Sequence, residues 1–263
     1  MFSLTLDQPD LDHQCDDVRH EDGTRLIRAL GVSRDHRVLD IGCGAGRLGE
    51  HVGHIVGVGG EVVGVDPLPL RVAIAARRYP AVFKASVGPI DDLSRFEPGY
   101  FDVAYLNSVL HWSDEQAKAL SQARQVLRKN GRLGVSVANR GRPDQRVRIL
   151  IEALSRVDGV DMSVVPPDVP HAVAWRSLSA LINQTGFSSH TLSDEVMVDY
   201  HASLDDVLAF NLNSAFGNFL QGLEEDQYEQ LRQLVAEKLV PLTTSKCIRL
   251  ERYLIFAVAN RHR

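Results

Sequence analysis

The sequence predicts an α/β protein built on a doubly wound, mainly parallel sheet of seven strands. Three observations carry this. Short β-rich runs alternate with helix-patterned segments from Arg37 to Ala138. Runs separated by single helices imply parallel pairing through right-handed crossovers. A glycine-rich turn stands where the first run gives way to a helix, the place where such sheets leave backbone amides free.

Residues 1–22 read as polar and irregular, followed by a short helix, GTRLIRALGV (23–32), with Leu26, Ile27 and Leu30 on one face. RVLDI (37–41) is the first strand, and GRLGEHV (46–52) carries helix-spaced Leu48 and Val52. EVVGV (61–65), AVFKASV (81–87) and FDVAYLN (101–107) are the next strands, with the helical LRVAIAARR (70–78) between the first two of these. Ser113 and Gln116 have the spacing of a capping box for a helix that Asn130-Gly131 would end, and RLGVSVA (132–138) is the fifth strand. Beyond Asn139 the alternation breaks. VRILIEALSRV (147–157) reads as a helix, a proline-rich stretch holds Pro166, Pro167 and Pro170, and AWRSLSALINQTGF (174–187) is helical again. A strand near 188–199, helices near 203–211 and 226–240, and a last run at 249–259 complete the chain. The last run is expected as an antiparallel strand beside that near 188–199. No repeat or composition shift separates a second domain, so 1–263 reads as one, with a core at 22–140, helices and an insert at 141–247, and a final strand at 248–260.

A hydrophobic fraction of 44% and a charged fraction of 24% belong to an ordinary globular chain. The formal net charge of −5 leaves no electrostatic footprint for nucleic acid. No apolar run suits a membrane span or a signal peptide. Cys15, Cys43 and Cys247 fit neither a disulfide framework nor a zinc spacing, and the histidines form no metal-ligand pattern, so a cytoplasmic protein without a metal is expected.

The strongest motif is VLDIGCGAGRL (38–48). Its glycines, Gly42, Gly44 and Gly46, let the backbone approach a ligand at a helix N-terminus. A dinucleotide fingerprint would need its third glycine where Arg47 stands. Asp40, two residues before the first glycine, is poorly placed beside a pyrophosphate and suited to a cationic ligand. S-adenosylmethionine carries an ammonium and a sulfonium and satisfies that requirement. Asp66 closes the second strand twenty residues beyond Gly46, where a carboxylate can accept from ribose hydroxyls.

From about Arg37 to Ala138 the chain resembles class I S-adenosylmethionine-dependent methyltransferases, which are Rossmann-like, through VLDIGCGAGRL, VVGVDP, FDVAYLNSVLHW and QARQVLRKNGRLGVS. It is most similar to the small-molecule branch with quinone C-methyltransferases, malonyl-carrier-protein O-methyltransferase and trans-aconitate methyltransferase. The resemblance implies that Asp40, Gly42, Cys43, Gly44 and Gly46 frame the methionine portion of the cofactor, while Asp66 and Pro67 lie at its ribose. Pro89, Ile90 and Asp91 stand where the family surrounds adenine, Pro89 replacing the family's usual Asp, with Asp91 as its substitute. Asn107 is expected at cofactor or substrate, His111 as the catalytic group, and His20 and Trp112 at the substrate. The N-terminal segment with Asp16, Asp17 and His20 is a lid candidate. The helical region 203–240, with Phe210, Phe216, Phe219 and Leu220, is a substrate cover that doubles as core or dimer contact.

The activity so implied is methyl transfer from S-adenosylmethionine to N, O, S or C of a small molecule, leaving S-adenosylhomocysteine, by a monomer or homodimer without nucleic-acid or membrane partners. Two alternatives stay open: a non-catalytic S-adenosylmethionine- or nucleoside-binding regulator, and an NAD(P)-dependent oxidoreductase.

Overall fold

A computed structural model of the protein describes residues 9–78, 83–164, 171–212, 220 and 222–262. Pro166, Pro167, Pro170, Phe216, Phe219 and the first two residues of the predicted third strand lie outside the described residues. So do the side chains of Cys15, Asp16, Asp17 and Phe210.

In chain order the elements are α1 (Pro9–Leu30), β1 (Arg37–Ile41), α2 (Arg47–Val56), β2 (Glu61–Asp66), α3 (Pro69–Arg78), β3 (Lys84–Val87) and β4 (Phe101–Asn107). They continue as α4 (Gln116–Val126), β5 (Leu127–Ala138), α5 (Gln145–Leu154), α6 (Trp175–Gln184), β6 (Ser189–His201), α7 (Leu204–Leu212), α8 (Glu225–Leu239) and β7 (Ile248–Asn260). The strands form one seven-stranded sheet in the order β3-β2-β1-β4-β5-β7-β6. β1 pairs in parallel with β2 and β4, β2 with β3, and β4 with β5. β7 runs antiparallel to β5, from Arg132 opposite Asn260 to Ala138 opposite Leu254, and has β6 on its other side.

This order places the functional crevice. From β1 the chain winds outward through β2 to β3, then returns to β4 on the other side of β1. The connections therefore diverge between β1 and β4, and in an open α/β sheet ligands bind beyond the carboxyl ends of the strands at such a point. Ile41 and Asn107 end those two strands.

Two compact units are present. One comprises residues 19–141, 171–195 and 254–263, and the other 1–18, 142–170 and 196–253. Each has a core of its own. In the first, Leu39, Ile41, Leu106, Leu120, Val135, Ile182 and Ile255 are buried together. In the second, Leu150, Leu154, Leu208, Leu231 and Val235 close a helical core.

Three local expectations are corrected. The first helix begins at Pro9, within the stretch read as irregular. The Ser113–Gln116 capping box does not form: Glu115 is the N-cap of α4 without a side-chain cap bond, and Ser113 Oγ instead accepts from the Glu115 N–H at 3.1 Å. Asn130-Gly131 ends no helix, because α4 stops at Val126 and the pair lies inside β5. Asn130 takes a positive φ of 62° there, and its N–H donates to the Arg261 carbonyl at 2.6 Å. Arg261 also caps α4, its guanidinium donating to the carbonyls of Arg124 at 2.8 Å and Gln125 at 3.0 Å.

Candidate active site

The glycine loop links β1 to α2 at the crevice. Gly42, Gly44 and Gly46 have φ of 78°, 54° and 82°, a region that side chains other than glycine's enter at a cost. Gly42 also has no room for more: a Cβ there would collide with Val109, which follows β4. Gly42 and Cys43 both donate their N–H to the Val65 carbonyl, at 2.7 and 3.0 Å, tying the loop to the end of β2. Asp66, buried at that end, fixes the loop further. Its Oδ2 accepts the Gly44 N–H and its Oδ1 the Leu68 N–H, both at 2.9 Å. Each oxygen keeps lone-pair capacity for a hydroxyl.

Asp40 lies beneath this loop in the centre of the sheet, between Gly64 of β2 and Tyr105 of β4. It is buried, and its Oδ2 has no hydrogen-bond partner. Burial pushes its carboxyl up to about 7. The Tyr105 hydroxyl, close by but out of hydrogen-bonding geometry, opposes the rise, and the Asp66 charge adds to it. A buried carboxyl with an unpartnered oxygen costs free energy that a positively charged group would offset. Together with the positive-φ glycines it fits the ammonium-bearing end of S-adenosylmethionine. Cys43 offers no nucleophile, because burial, Asp40 and Asp66 push its thiol far up.

At the end of β4 a polar network forms. Ser136 Oγ donates to Asn107 Oδ1 at 2.8 Å and accepts the Ser108 N–H at 2.8 Å, with Ser108 at a φ of 57°. Ser136 was not a candidate; it lies on β5, and only strand pairing brings it here. His111 and Trp112 sit in the following 3-10 turn, Leu110–Trp112, His111 buried and Trp112 half-buried, with ring centroids 5.3 Å apart. His111 Nδ1 accepts the Ala138 N–H at 3.2 Å. With Nδ1 so engaged, the neutral ring carries its proton on Nε2 and can donate from there.

The remaining candidates separate into groups. His20 lies on α1 edge-on to His51 of α2, at 5.5 Å between centroids. Three residues on, Gly23 lets α1 approach closely: a Cβ there would collide with Leu48 and lie 3.0 Å from Asn107 Nδ2. A glycine inside a helix pattern was the sequence signal for that approach. Pro67 and Pro89 are exposed, whereas Ile90 is buried. Asp91 is engaged through Oδ2 by Lys118 Nζ at 2.8 Å, leaving Oδ1 for any further bond. Among the described residues no group of three His, Cys, Asp or Glu side chains could hold a metal ion.

Residues 39–135 match the methyltransferase domain family, a span running from β1 to the middle of β5. The stretch from β1 to β5 is of the methyltransferase-domain type. Its relatives include the ubiquinone biosynthesis O-methyltransferase of Bradyrhizobium diazoefficiens, 32% identical over 122 residues, 44% of this chain and 45% of that protein. They also include the mitochondrial arginine-hydroxylase NDUFAF5 of Danio rerio, 27% identical over 194 residues, 72% of this chain and 58% of that protein. The chain spans about half the length of the curated relatives it matches. The crystal structure of the YcgJ protein of Bacillus subtilis has a similar fold, with a TM-score of 0.63, 17% identity, and coverage of 93% of this chain and 99% of that one. Among the described residues no helix is long and apolar enough to cross a membrane.

Proposed function

We propose that the protein transfers the methyl group of S-adenosylmethionine to a small-molecule acceptor. The observation that carries this reading is the buried Asp40 carboxyl, without a partner on Oδ2, beneath the positive-φ glycine loop at the divergence point of the sheet. When bound, the cofactor supplies a methyl group already activated by its sulfonium charge. The protein's own contribution is then positioning and exclusion of water. Asp40 receives the ammonium, the glycine loop admits the cofactor between that group and the ribose, and Asp66 accepts from the ribose hydroxyls with the lone pairs its backbone bonds leave. Ile90 and Asp91 flank the adenine. Asn107, held by Ser136, and His111, held by Ala138, present polar groups from the end of β4, where the acceptor approaches with Trp112 and His20 beside it. His111 acts there as a hydrogen-bond donor that orients the acceptor.

A small-molecule acceptor is supported by the net charge of −5, which disfavours a polyanionic partner, and by the ubiquinone-pathway O-methyltransferase among the relatives. The test is transfer of labelled methyl from S-adenosylmethionine in a cell extract, separated by size. Label in the low-mass fraction is expected. Label confined to RNA or protein would reject the small-molecule acceptor, and a hydroxylated product without label would reject methyl transfer.

A further inference from the structure

Arg71 stands on the first turn of α3, five residues after Asp66, and no motif of the chain draws it into the site. Its guanidinium faces the glycine loop. A Cβ built on Gly44 would meet one heavy atom within 4 Å, Arg71 Nη1 at 3.9 Å. At the neighbouring glycines the same construction meets packed side chains, Val109 at Gly42 and Ala75 with Phe83 at Gly46. Gly44 is therefore where the loop opens outward, and Arg71 stands at the rim of that opening.

The guanidinium makes no hydrogen bond or ion pair among the described residues. Other arginines of the chain are engaged, as Arg128 is with Asp102, Arg252 with Asp199 and Arg261 with the carbonyls ending α4. Arg71 remains unpaired although its positive field reaches the Cys43 thiol and opposes that group's upward shift. Asp66, whose oxygens accept the Gly44 and Leu68 N–H groups, makes no ion pair with it. A half-buried cation beside an open backbone surface is placed to meet a ligand.

We propose that Arg71 is a cofactor-positioning residue that contacts the nucleoside half of S-adenosylmethionine; this rests on the reading of the preceding subsection. The half is assigned by the loop's own bonds. Gly44 is tied to Asp66, the ribose carboxylate, whereas Asp40, the ammonium partner, lies in β1 on the Gly42 side. A planar guanidinium at the ribose side has the shape and charge to lie against an adenine face.

The experiment is calorimetric titration of wild type, Arg71→Ala and Arg71→Met with S-adenosylhomocysteine and with 5′-methylthioadenosine, which lacks the amino-acid portion. Both variants are expected to lose about tenfold in affinity, by the same factor for the two ligands. Unchanged affinity in Arg71→Ala overturns the proposal. Loss for S-adenosylhomocysteine alone also overturns it, because the contact then belongs to the amino-acid half. Full affinity in Arg71→Met would reduce the effect to packing of the aliphatic stem and overturn it as well. A folded wild type that binds neither ligand would instead overturn the cofactor reading itself.

Discussion

Asp40 links stability to binding through one proton. Its folded-state pKa of about 7 lies above the ordinary 3.8, so its contribution to stability is complete below about 4 and is lost as pH rises toward 7. Above that range the ionised, buried carboxylate destabilises the ligand-free protein by an amount on the order of a few kcal/mol. Asp40→Asn is expected to raise the melting temperature of the ligand-free protein much more at pH 8 than at pH 4, read by calorimetry. An equal gain at both values would show that ionisation of Asp40 carries no penalty. The affinity of wild type for S-adenosylhomocysteine should rise with pH through about 7 as the carboxylate forms, and that rise should vanish in the variant. His111 raises a different question at the same scale. Glutamine can accept the Ala138 N–H and still donate, so His111→Gln should keep most of the turnover that His111→Ala loses, with cofactor affinity unchanged in both. Equal loss in the two variants would mean that a proton acceptor is needed there and that the bond to Ala138 breaks during turnover.

The loop between β1 and α2 is an element whose geometry is doubly determined. At Gly42 an alanine would meet an unfavourable φ and collide with Val109. Gly42→Ala should cost about 2 kcal/mol or more in denaturant unfolding. Val109→Ala added to it should recover the steric share and leave the backbone share, so the double variant should be more stable than Gly42→Ala alone. A double variant less stable than the single one would locate the cost elsewhere. The loop, β1 and β4 were legible in the sequence at 37–41 and 101–107 because central parallel strands are short apolar runs bounded by turn residues. The first half of α1 was not, since the stripe of Leu26, Ile27 and Leu30 marks only its second half. Asn130-Gly131 carried a helix-stop composition, yet its positive φ serves a bend inside β5 that Arg261 secures from the far end of the chain. Of the site, the glycines and two acids could be read locally. Ser136, the Ala138 N–H on His111, and the approach of Gly23 depend on sheet order and helix packing, which residue spacing does not encode.

On the scale of the whole molecule, the strand order turns a repeating βα chain into one with a single point of divergence, and the glycine loop, Asp40, Asn107 and Ser108 all stand at the ends of the two strands beside it. The core at 19–141, 171–195 and 254–263 is separate from the helical core at 142–170 and 196–253. We propose that the first of these units holds S-adenosylmethionine through Asp40, the glycine loop and Asp66. Isothermal titration of the folded protein with S-adenosylhomocysteine tests it most directly, with Asp66→Ala and NADH as comparisons. One site per chain is expected, with affinity weakened by ~1–3 kcal/mol in Asp66→Ala and no heat of binding with NADH. A folded protein that gives no binding heat with S-adenosylhomocysteine, or that binds NADH instead, would contradict it.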